Sequence, residues 1–135
     1  MIEKGQTYTH DFKFSQAEVA AFAEVTGDKN PVHLDPAYAA KTFFKKPIMH
    51  GMLGASLFSK VFGTLFPGEG TIYLKQSLSF LKPMYVDIDY VAVFTVNEVI
   101  KDKNRAVIET LIKDKTNGLV CTSGEAVVMN VDQIK

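Results

Sequence analysis

Cysteine is almost missing: the 135 residues hold one, Cys121. No disulfide can form within the chain, and the apolar alternation around Cys121 marks a buried core thiol, not a redox centre. Net charge is missing as well, because fifteen Lys and Arg balance fifteen Asp and Glu. No overall field therefore draws the chain to a nucleic acid or an anionic membrane. The opening residues, MIEKGQTYTH, lack an apolar signal core, and the most apolar stretch, 47–66, is interrupted by His50 and Lys60 and bounded by prolines. A cytoplasmic protein without a membrane partner is the expectation. The histidines, at 10, 33 and 50, lack zinc-site spacing, and no Gly-rich phosphate loop is present, so neither a metal nor a cofactor is expected. No linker, repeat or low-complexity tract divides the chain, and residues 1–135 read as one domain.

What is present is a large apolar fraction, 47% of residues, arranged with two different periods. Over 15–26, Ser15 and Glu18 make a capping box, Val19, Phe22 and Ala23 share a face, and Gly27 supplies the stop, which predicts a short amphipathic helix. Asp35-Pro36 is an N-cap followed by a first-turn proline, so a second helical turn runs to Ala40 and residues 28–34 form a loop between helix ends. A longer helix is expected from Met49 to about Phe66, closed by Pro67-Gly68. It is apolar nearly all round, so it should be buried with something wrapped around it. The second half alternates with period two. Ile72, Leu74, Leu78 and Phe80 point one way in a half-buried strand ending at Pro83, and three further strands follow over about 88–101, 104–115 and 119–131. Turns at Lys103-Asn104 and Asn117-Gly118 link them, and a first strand near 7–14 joins them. The sum is an α+β domain with an antiparallel β-sheet.

Chemistry concentrates in Thr26-Gly27-Asp28-Lys29-Asn30-Pro31-Val32-His33. A carboxylate and an imidazole stand five residues apart in a turn stiffened by Gly and Pro, and such a turn can hold both within hydrogen-bond reach of one reacting atom or water. Asn30 and Pro31 support the loop. On residue types alone, ordinary turn formers beside a satisfied polar histidine account for the same segment.

The run Gly27-Asp28-x-Asn30-Pro31-Val32-His33 resembles the signature of the MaoC-like dehydratases, and in particular of the R-specific 2-enoyl-CoA hydratases, with Ala39 at the small position that follows. The resemblance extends to Pro47-Ile48-Met49-His50-Gly51-Met52 and to Gln76-Ser77-Leu78-Ser79-Phe80. It implies a hot dog fold, an antiparallel sheet wrapped around a long central α-helix, and a homodimer with the active site near the interface. It also implies R-specific hydration of a trans-2-enoyl thioester of coenzyme A or of acyl carrier protein, with reversible dehydration. Asp28 and His33 take the catalytic positions and Gly51 the amide that receives the thioester oxygen. From helical spacing on Gly51, Ser59 and Phe62 are expected in the acyl pocket, with Phe62 limiting the chain to about four to six carbons. His50 is expected to orient the helix start. A thioesterase on the same scaffold and a noncatalytic thioester-binding subunit remain alternatives, since fold alone does not fix a reaction.

Overall fold

The computed structural model describes residues 1–135 throughout. Its elements run β1 (Thr7–Phe12), α1 (Gln16–Thr26), α2 (Pro31–Leu34), α3 (Pro36–Ala40), α4 (Gly51–Thr64), β2 (Ile72–Gln76), β3 (Ser79–Phe80), β4 (Tyr90–Ile100), β5 (Arg105–Asp114) and β6 (Val120–Met129). All pairings are antiparallel, in the order β1-β4-β5-β6-β2, with β3 also on β6.

Period-two alternation builds the sheet's inner face. Ala92, Phe94 and Val96 of β4, Ala106, Ile108 and Ile112 of β5, and Ala126 and Val128 of β6 are buried in one cluster with Leu53, Ala55, Phe58, Val61 and Phe62 of α4. Phe58 and Phe62 meet Phe94 edge-on, at 5.7 and 5.3 Å between ring centroids, a geometry that suits the aromatic quadrupole. Cys121 is buried as expected, and burial pushes its thiol pKa up. No helix is long and apolar enough to cross a membrane.

Three expectations need correction. First, 31–34 is not loop but a helical turn. Asn30 Oδ1 accepts the Val32 N–H at 3.2 Å and Pro31 occupies the first position, the same cap-and-proline device that opens α3 at Asp35-Pro36. Second, α4 is covered on one side only: Met52, Ser56, Ser59, Lys60 and Gly63 form an exposed stripe, on which Ser56, Ser59 and Lys60 are polar. Third, the strand expected over 72–80 is broken. The Ser77 carbonyl crosses so close to Gly124 that a Cβ there would lie 1.9 Å from it, and pairing with β6 stops after Gln76 and resumes at Ser79. Only glycine at 124 permits that crossing. Ile72 (50%), Leu74 (41%) and Phe80 (53%) are exposed, not half-buried on one face.

Candidate functional site

The capped end of α1 fixes where the Asp28 loop begins. Ser15 and Glu18 close the capping box, and Gly27 ends the helix in the left-handed region at φ 80°, where L side chains are strained. Asp28 then leaves the helix with its carboxylate accepting no hydrogen bond from the chain and forming no ion pair. His33 sits on α2, which holds its ring toward the segment before α4. Its Nδ1–H donates to the Ile48 carbonyl at 2.8 Å. That acceptor selects the tautomer and leaves Nε2 as a free lone pair.

His50 completes the group. Its Nε2–H donates to the Asp28 backbone carbonyl at 2.9 Å, and its ring stacks on His33 with centroids 3.9 Å apart and planes at 28°. One donor atom from each of Asp28, His33 and His50 lies within 4.8 Å of the others. That composition suits zinc, but direction does not. An ion shared by both imidazoles would have to lie in both ring planes, and stacked, nearly parallel planes do not meet at a bonding distance of about 2.0–2.1 Å. The separation suits a water instead: two hydrogen bonds of about 2.8 Å reach from one oxygen to a carboxylate and an imidazole nitrogen this far apart.

These residues line one wall of a cleft of about 540 Å³, within the range of small-molecule sites. Gly51 and Met52, the first residues of α4, also line it. His50 provides no side-chain cap there, and the Gly51 and Met52 N–H groups have no acceptor within the chain. Unpaired donors at a helix N-terminus attract developing negative charge. A Cβ at position 51 would come within 2.7 Å of two Phe80 ring atoms, so any side chain there would displace that ring.

The structure thus brings Asp28, His33 and Gly51 into one cleft and gives Asn30 and Pro31 the role of opening α2. Ser59 and Phe62 do not join them. Ser59 lies on the exposed stripe of α4, and Phe62 is core, packed on Phe94 and Tyr73. One turn into α4, Met84 Sδ lies 3.1 Å from where a Gly54 Cβ would be, and Met84 lines the cleft while Gly54, Ser59 and Phe62 do not. A bond from the Met49 N–H to the Met84 carbonyl at 2.7 Å fixes that segment. Phe43, Phe44, Phe80 and Met84 also line the cleft and were missed from sequence. The pair Phe43-Phe44 between lysines was the available signal, and Phe43 is 90% exposed.

Residues 1–117 match the family model described as MaoC like domain. The chain is 48% identical to the (R)-specific enoyl-CoA hydratase of Aeromonas caviae, over 94% of each chain. It is 38% identical to the 3-hydroxybutyryl-CoA dehydratase of Methylorubrum extorquens, over 96% of this chain and 76% of that one. Its structure superimposes on the solved (R)-hydratase from A. caviae with a TM-score of 0.91 at 47% identity, covering 96% of this chain and 97% of the other.

Proposed function

Because the chain belongs to the MaoC-like dehydratase family and has its hot dog fold, we propose that it hydrates trans-2-enoyl-CoA to R-3-hydroxyacyl-CoA, reversibly, on a water held between Asp28 and His33. It is an enzyme of the hydro-lyase class, as its close relatives are named. The observation that carries the reading is the cleft itself: two proton acceptors within one water's reach share it with two unpaired amides.

A double bond conjugated to a thioester is electrophilic at the β-carbon, but water attacks it only once a base draws off a proton. A water donating one hydrogen to the Asp28 carboxylate and the other to His33 Nε2 turns its lone pairs outward, toward that carbon. As the C–O bond forms, electron density moves through the α-carbon to the thioester oxygen, where the Gly51 amide receives it. The proton taken from water then supplies the α-carbon, so the addition balances without outside acid, and dehydration retraces the steps. Coenzyme A is substrate here; an acyl carrier protein would present the same thioester.

On this reading, crotonyl-CoA loses its enoyl absorbance and yields the R-3-hydroxy product on chiral separation. Release of free thiol instead would identify a thioesterase, an S product would reject the proposed facial selectivity, and no reaction would leave a binding subunit.

The row Ile72, Tyr73, Leu74, Phe80 and Leu81 is exposed along the β2–β3 edge, an apolar margin that a monomer would leave open to aggregation. A second copy covering it forms a homodimer and walls in the Phe80 side of the cleft. Met84, packed against Gly54 on the cleft lining, takes the place of Phe62 as the residue that limits acyl length, which favours short enoyl chains. Each methylene buried in an opened cavity is worth about 0.8 kcal/mol. Met84→Ala therefore raises kcat/KM for dodecenoyl-CoA relative to crotonyl-CoA; an unchanged ratio would remove Met84 as the limit. Phe62→Ala, tested beside it, reports whether the acyl tail continues along α4 into the core.

A further inference from the structure

We infer that His50 is the positioning residue of the site, holding the Asp28 carboxylate in register with His33 and the Gly51 amide. The inference rests on the hydratase reading above but concerns a residue to which that reading gives no part.

Three observations converge on it. The loop Asp28-Lys29-Asn30 is exposed, and its remaining hydrogen bonds are local: the Asp28 N–H to Thr26 Oγ1, the Lys29 N–H to the Gly27 carbonyl, and those that open α2. The bond from His50 Nε2 to the Asp28 carbonyl, 2.9 Å long, is the one that ties this loop to a distant part of the chain. Without it the loop is held only at its two ends, by α1 and by α2, whose Val32 and His33 bond to Ile48, and nothing fixes the peptide that carries Asp28 between them. Second, the same ring lies against His33 on one side, centroids 3.9 Å apart, and contacts Phe22 of α1 at 4.9 Å. His50 is 2% exposed, so its orientation is set by packing. Third, His50 directly precedes Gly51, and its carbonyl accepts the Leu53 and Gly54 N–H groups that start α4. One residue therefore touches the carboxylate loop, the imidazole and the helix whose amides face the substrate.

The orientation has a cost, which argues for a function. With Nε2 committed to Asp28, His50 Nδ1 is buried without any hydrogen-bond partner, and such groups are rare because desolvation goes uncompensated. A histidine present only to cap α4 would turn its acceptor toward the free N–H groups, yet no side-chain cap bond forms. The ring is spent on the loop instead.

The test separates donor from ring. His50→Gln keeps an N–H near the position of Nε2 and loses the ring; His50→Phe keeps the ring contacts and loses the donor. With crotonyl-CoA, His50→Phe is expected to lower kcat by about 10–100-fold with KM changed less than about threefold, since misplacing a catalytic group by an ångström has that effect. His50→Gln restores most of the loss. Hydrogen exchange over 26–34, which needs no activity, should quicken in His50→Phe and stay slow in His50→Gln, with far-UV dichroism unchanged in both. Wild-type kcat and slow exchange in His50→Phe would overturn the inference. So would equal losses of kcat in both variants with exchange unchanged, because His50 would then act on the substrate directly. Should the wild type leave crotonyl-CoA intact, the hydratase reading fails while the exchange measurement still decides the role of His50.

Discussion

Asp28→Asn and His33→Gln are each expected to lower kcat by at least about 100-fold, the usual scale of a lost general acid or base. The folded state should tolerate both. The Asp28 carboxylate is exposed and accepts no hydrogen bond within the chain, so its amide leaves nothing unpaired. His33→Gln gives up the 2.8 Å bond to the Ile48 carbonyl, worth about 1 kcal/mol, a modest share of the 5–15 kcal/mol typical of a domain. On the proposed mechanism the two side chains address one water, so the double variant should lose little more than the worse single variant. Steady-state rates on crotonyl-CoA for all four proteins give the answer. Turnover near that of wild type in either single variant would remove that residue from the chemistry, and multiplicative losses would mean that the two act independently.

A loss of about 10²–10³ in kcat is expected when the Gly51 amide is deleted, the magnitude seen when one oxyanion donor is removed. Proline does this cleanly. It suits the first position of a helix, and His50, at φ −59° and ψ 130°, already has the extended backbone that a residue before proline requires. The Gly51 N–H bonds to nothing in the chain, so removing it orphans no acceptor. The obstacle is Phe80, whose ring occupies the space of any side chain at 51. Gly51→Pro is therefore compared within a Phe80→Ala background. Equal kcat for Phe80→Ala and the double variant would show that the amide does not receive the thioester oxygen.

How much of this was legible in the sequence depended on how far apart the deciding residues stand. The limits of α1 followed from Ser15, Glu18 and Gly27, and those of α3 from Asp35-Pro36, because caps act over a few residues. The strands of the second half followed from alternation and from turn residues such as Asn117-Gly118. The turn α2 carried the same cap-and-proline signal at Asn30-Pro31 but is only four residues long, too short for any periodicity to reveal. The break between β2 and β3 comes from Ser77 meeting Gly124, a contact between residues far apart in the chain that leaves no mark in the alternation of 72–80. Site residues divide in the same way. Asp28 and His33 are five positions apart and can be read together, whereas Met84, which lines the cleft, packs against Gly54 from thirty positions away. Helical spacing on α4 carries no trace of that contact and points instead to Ser59 and Phe62.

The bare start of α4 bears on durability as well as on chemistry. A Ser, Thr, Asp or Asn before Gly51 would satisfy one of the exposed donors and add about 0.5–2 kcal/mol of stability. The chain has such caps on α1, α2 and α3, and lacks one on its longest helix alone. Thermal robustness is thus given up at the one helix end that opens into the cleft, and on the proposed mechanism this is a local trade of folding stability against reactivity.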